Sequence, residues 1–144
     1  SMIFKNCNEV IPIRPNDFQD EDLKLINSIR NSLQNYKKFI DEQKFDQFLK
    51  NIWSVISDAN KYVDNQAPWS LKKNDFQRME VVLYTLIETI RQISIMLQPF
   101  IPNTSKSILD HIQIPLVKRD IKSIELFFDG GIKISTPKSL FPRV

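Results

Sequence analysis

The sequence predicts an all-α fold, an antiparallel helix bundle followed by a short C-terminal β-hairpin and an extended tail. Three observations carry that expectation. Long segments repeat apolar residues at steps of three and four, the period of one helix face. Prolines fall between those segments and not inside them. Only near the C-terminus does the spacing shorten to two, on either side of the pair Gly130-Gly131.

Ser1-Met2 reads as a cleavage scar, and Ile3-Phe4-Lys5-Asn6 has no capping residue before it, so residues 1–16 are expected to hold the end of a truncated helix and a connector. Pro12 and Pro15 exclude helix from that connector. A helix then carries Leu23, Ile26, Ile29, Leu33, Tyr36 and Ile40 on one face. Asp20, Glu21 and Asp22 sit at the positive end of its dipole, where they read as capping residues. A second helix over residues 44–64 presents Phe45, Phe48, Leu49, Ile52, Val55, Ile56, Ala59, Tyr62 and Val63 as one broad stripe, and Pro68 closes the segment. After a loop rich in Lys and Asn, residues 78–98 are apolar on nearly every face, from Val81, Val82 and Leu83 to Ile95, Met96 and Leu97, which marks a central, mostly buried helix. Pro99 and Pro102 end it, and Asn103 or Thr104 can cap a shorter helix through Ile108, Leu109 and Ile112. The bundle therefore spans residues 17–112. Ile124, Leu126 and Phe128, then Asp129-Gly130-Gly131, then Ile132 and Ile134 read as the hairpin, within a C-terminal segment of residues 113–144.

At 144 residues, with 42% hydrophobic and 10% aromatic side chains, the chain fits one domain with a sizeable core. Charges of both signs are interspersed, and no apolar run reaches the roughly 18 residues that a membrane span needs, so no membrane partner is expected. Cys7 is the only cysteine and no signal-like N-terminal segment is present, which favours the cytoplasm. A net charge of +3 permits an anionic partner without naming one.

Catalytic chemistry finds little to work with. His111 is the only histidine and reads as a helix-end residue, far in sequence from Cys7, so no nucleophile and base are paired. No Cys, His or carboxylate cluster has metal-ligand spacing, and two adjacent glycines cannot build a phosphate-cradling loop. Asp41, Glu42 and Asp46 could in principle act as an acid and base, but they fall between helices and read as solvated charges. The chain is therefore expected to have no catalytic residue, cofactor or metal of its own, and to bind a partner.

The informative stretch is Asn60-Lys61-Tyr62-Val63-Asp64-Asn65-Gln66-Ala67-Pro68-Trp69-Ser70-Leu71-Lys72-Lys73, which puts a tryptophan just past the end of a long helix among cations. Two readings fit. The indole can stack on an unpaired base while Lys61, Lys72, Lys73 and Arg78 meet phosphates, or it can fold back as a plug over the end of the bundle.

Ile52-Trp53 followed by Asn60, Tyr62, Asp64 and Ala67-Pro68-Trp69-x-Leu71-x-Lys73 resembles the anticodon-binding domain of methionyl-tRNA synthetase, a class I aminoacyl-tRNA synthetase. Val82-Leu83-Tyr84 through Glu88 and Arg91, Leu97-x-Pro99-Phe100-x-Pro102 and the ending Leu140-Phe141-Pro142-Arg143-Val144 extend the resemblance over nearly the whole chain. It implies that Trp69 stacks on the first anticodon base, a cytosine, and that Asn60 and Tyr62 either touch RNA or brace the turn. Trp53, beside Ile52 on the apolar stripe, is expected in the core.

The family's Asn-x-x-x-Arg element, which reads anticodon base edges, would lie upstream of this chain. So would its catalytic fold, its adenylate-forming motifs and its zinc-binding insertion. The resemblance implies a longer methionine–tRNA ligase that uses ATP with magnesium, in which this chain supplies anticodon recognition. Its partners would be methionine tRNA with the anticodon CAU and the missing catalytic domain, toward which the hairpin and tail would pack. Two alternatives remain open: the anticodon-binding domain of another class I synthetase, and a helical protein-interaction domain with Trp69 as its hot spot.

Overall fold

The computed structural model describes residues 10–131 apart from residue 43, with the backbone alone for residues 32–35, 37 and 40. The expected N-terminal helix end and Cys7 lie outside the described residues, as do the second hairpin arm from Ile132 onward and the tail.

Among the described residues, helices α1 (Asp20–Asp41), α2 (Phe45–Gln66), α3 (Pro68–Asn74), α4 (Phe76–Met96) and α5 (Pro102–His111) follow one another, and two 3-10 turns, Leu116–Lys118 and Ile121–Glu125, come after them. Apart from α2, which follows Lys44 without a side-chain cap, the starts have local causes. At α1, Asp22 occupies the third helical position and its Oδ2 accepts the N–H of Gln19 at 3.0 Å, the acidic half of a capping box, as its place in the first turn suggested. At α4, the side chain of Asp75 accepts the N–H of Arg78 at 3.1 Å. Helix α5 instead starts on Pro102, whose missing N–H costs nothing in a first turn, so Asn103 and Thr104 lie inside the helix and do not cap it.

Pro68 likewise opens a helix where the sequence suggested that it closes one. Ala67 adopts a left-handed conformation (φ 46°, ψ 61°), ending α2 through its N–H to Val63 and letting Pro68 begin α3 at once. The expected Lys- and Asn-rich loop is thus mostly a seven-residue helix.

Helix α4 is central, packing on α1, α2, α3, α5 and the second 3-10 turn. The main core joins Ile29 of α1, Phe48, Ile52 and Val55 of α2, and Met79, Leu83, Ile95 and Met96 of α4 to Leu109, Ile112, Ile114 and Ile124. Burial of such side chains contributes about 1.5–3 kcal/mol each. A smaller cluster of Leu25, Tyr62 and Val82, backed by Leu71, fills the end nearest α3.

The inward side of α4 is nevertheless not uniformly apolar. Thr85, Glu88, Thr89, Arg91 and Gln92 are buried while Ile90 is 40% exposed. The reason is a clamp on the C-terminal segment. Glu88 accepts bonds from Arg91 and Gln92, and Arg91 donates onward to the carbonyls of Ser123 (3.0 Å) and Leu126 (2.7 Å) while Arg30 donates to that of Ile124 (3.0 Å). These guanidinium groups bond carbonyls at the end of a 3-10 turn, and the shared Glu88 carboxylate compensates their burial.

No strand forms among the described residues. Of the first arm of the expected hairpin, Ile124 lies in the second 3-10 turn, and from the extended Leu126 onward the chain bonds to the proline-rich connector: Arg14 N–H donates to Asp129 O and Gly131 N–H to Ile11 O, both at 2.8 Å. Phe128 stacks on Tyr84 at 4.9 Å and Phe127 on Phe18 at 5.4 Å. Gly130 is required here, because at φ 72° a Cβ would lie 2.1 Å from Pro12 O.

Trp53 is not a core residue; it is 72% exposed. Successive helical residues point about 100° apart, so burial of Ile52 turns its neighbour outward.

Candidate nucleic-acid interface

The sequence dictates where Trp69 can point. Pro68 is buried and Leu71 packs against both apolar clusters, so these two residues close the end of the bundle. The intervening Trp69 is left 55% exposed and is not the plug. On α3, Lys72 and Lys73 follow Trp69 at i+3 and i+4, so the indole and both ammonium groups share one face, and both lysines are exposed. Asn60 and Lys61 are exposed on the last two turns of α2, about 8–9 Å of helix rise before it ends. Lys61 lines a cleft of about 270 Å³ between α1 and α2, with Glu21, Lys24, Asp58, Asn65 and Gln66.

Arg78 does not join that face. Its guanidinium turns inward, donating from Nη1 to Asp22 Oδ2 at 2.7 Å and from Nη2 to Asp22 Oδ1 at 2.9 Å and Gln66 Oε1 at 2.8 Å. Tyr62 is buried and donates its hydroxyl to Asp22 Oδ1. One fully buried carboxylate of α1 thus holds the end of α2 and the start of α4 around α3. Burial alone would push the Asp22 carboxyl up, but the bonds from Arg78, Tyr62 and Gln19 outweigh it and hold it below the usual carboxylate range. The same carboxylate raises Arg78, and burial together with Asp22 drives the Tyr62 phenol far above its ordinary value.

A family model described as the anticodon binding domain of methionyl tRNA ligase matches residues 14–144. The chain belongs to this family. It is 35% identical over 144 residues to the methionine–tRNA ligase of Brucella suis biovar 1 and 31% identical over 148 residues to that of Rickettsia typhi, covering 99% and 100% of this chain but only 28% and 29% of those proteins. It therefore spans under a third of the curated relatives it matches. Among solved structures, the apo form of Mycobacterium tuberculosis methionyl-tRNA synthetase superposes with a TM-score of 0.93 at 29% identity, covering 100% of this chain and 30% of that one. The same enzyme bound by methionyl-adenylate gives 0.91 at 28% identity, covering 99% and 29%.

In this anticodon-binding domain, the bundle expected from the sequence is the fold of the family, and Trp69, Lys72 and Lys73 come together on α3. Asn60 and Lys61 stand on α2, and Arg78 and Tyr62 form the buried support. Asp22 and Gln66 complete that support, a role that their sequence positions do not announce. Asp22 had a signal as a helix-start acid, but its partners lie 40 and 56 residues away, beyond any local pattern.

Among the described residues no helix is long and apolar enough to cross a membrane, and no three His, Cys, Asp or Glu side chains gather to hold a metal ion.

Proposed function

We propose that this domain binds the anticodon loop of methionine tRNA, with Trp69 stacking on the first base of CAU. The observation that carries the reading is the solvent-facing indole on a helix whose same face bears Lys72 and Lys73. An unpaired base offers a π face to the indole, and stacking is worth about 1–3 kcal/mol per base. Lys72, Lys73 and Lys61 meet phosphates, which fixes register without reading sequence, and Asn60 supports the same strand. Arg78 and Tyr62 brace the turn.

The longer protein would be a cytoplasmic methionine–tRNA ligase in which ATP activates methionine and the acyl group passes to tRNA. In that longer enzyme the nucleotide, with magnesium and any zinc, would be held by the catalytic part. This domain's part is to bind and orient the tRNA.

A titration of labelled anticodon stem-loops, one with CAU and one with a scrambled loop, at two salt concentrations tests the reading. Three lysine–phosphate contacts give a slope of log K against log salt of roughly −2 for a single strand. The expected result is weak, salt-sensitive binding with little preference for CAU, because stacking on an indole and lysine contacts to phosphates tolerate any base. Absence of binding to either loop at low salt overturns the RNA reading and leaves the protein-interaction alternative.

A further inference from the structure

Helix α3 has only seven residues and enters through a left-handed alanine, a conformation that non-glycine residues rarely adopt. Pro68, which is buried, and Leu71, which packs against both apolar clusters, attach this helix to the bundle. Its direction needs polar contacts with fixed geometry, and Arg78 supplies them at both ends. The backbone N–H of Arg78 bonds to Asp75, which directly follows α3, and its Nη2 bonds to Gln66, which comes two residues before it. The guanidinium plane is in turn set by a two-pronged contact with Asp22 on α1, at 2.7 and 2.9 Å.

A carboxylate that only capped α1 would need the Gln19 N–H and nothing else. Asp22 also takes the Tyr62 hydroxyl and both prongs of Arg78, so donors reach it from the α1 start, α2 and α4. It is fully buried, whereas Glu21 next to it is exposed. We propose that Asp22 is a positioning residue for Trp69, fixing through Arg78 the direction of α3 and hence the face that the indole offers to a base. Its functional consequence rests on the RNA reading above; its structural content does not.

The experiment uses the full chain with Trp53→Phe, which leaves Trp69 as the single indole. Asp22→Asn and Gln66→Ala are each measured by acrylamide quenching of Trp69 and by affinity for the labelled CAU stem-loop, and Asp22→Asn is also combined with Trp69→Ala. Both single variants should change the quenching constant, and Asp22→Asn should weaken the stem-loop roughly three- to tenfold. In the Trp69→Ala background that loss should vanish, because a residue acting only through the indole has nothing left to position. A merely structural role would weaken binding equally in both backgrounds. Should Asp22→Asn fail to fold, Gln66→Ala decides, since it cuts only the link from Arg78 to the end of α2. Unchanged quenching in the folded variants, or additive losses of affinity, overturns the proposal. If Trp69→Ala itself leaves RNA binding intact, the RNA reading fails while the quenching still decides the positioning.

Discussion

The two tryptophans lie at opposite ends of the α2 region, and both are exposed, Trp53 at 72% and Trp69 at 55%. Their surroundings differ. Trp53 stands in the first half of regular α2 over a groove lined by Leu49, Ile56, Leu97, Phe100 and Ile101, where the one lysine, Lys50, is accompanied by the acid Asp46. Trp69 stands on a short helix beyond a left-handed turn, with lysines on its own face and a buried ion pair behind it. Exposure of an indole therefore identifies little by itself. Cations alongside the ring and a fixed carrier beneath it are what suit a ring to stacking on an anionic polymer, because the lysines hold the backbone while the orientation of the indole is already set.

Breaking the support should have the largest effect. Asp22→Ala leaves the Arg78 guanidinium without its carboxylate, and loss of one partner of a buried pair costs about 3–5 kcal/mol. Chemical denaturation should show a loss of that size; a loss below about 1 kcal/mol would place the pair with ordinary surface bridges. A gentler form of the same test uses pH. The folded-state value of Asp22 lies below its unfolded value, so its contribution is complete above an unfolded value of about 3.9 and is lost as pH falls through the lower folded value. Below about pH 4 the parent should thus lose stability more steeply than Asp22→Asn, and parallel acid profiles would contradict the shift. The smallest effect belongs to the other end: Trp53→Ala should change stability by no more than about 0.5 kcal/mol and leave stem-loop affinity unaltered.

Periodicity carried most of the fold. The stripes of α1 and α2 and the centrality of α4 follow from apolar spacing, since each face must bury against another. What periodicity could not carry was pairing at a distance. Glu88 and Arg91 lie inside because Arg91 bonds carbonyls 32 and 35 residues beyond it, and Asp22 is more than a cap because Arg78 and Tyr62 reach it across the bundle. Pro68 is compatible both with ending one helix and with beginning another, and only the left-handed Ala67 decides between them. Gly130 announced a turn, yet its constraint is the close approach of Pro12. The candidate face was more legible than its support: Trp69, Lys72 and Lys73 fall within one short stretch and a helical turn brings them together, whereas the spacing around Trp53 misassigned it to the core.

Trp69→Ala and Trp53→Ala, compared side by side for CAU stem-loop affinity and thermal midpoint, test the central claim most directly. Loss of stacking at Trp69 should lower affinity by about 1–3 kcal/mol, roughly 5- to 150-fold, with the midpoint nearly unchanged, while Trp53→Ala moves neither quantity. Intact RNA binding in Trp69→Ala together with a midpoint several degrees lower would contradict the account and make Trp69 a structural residue.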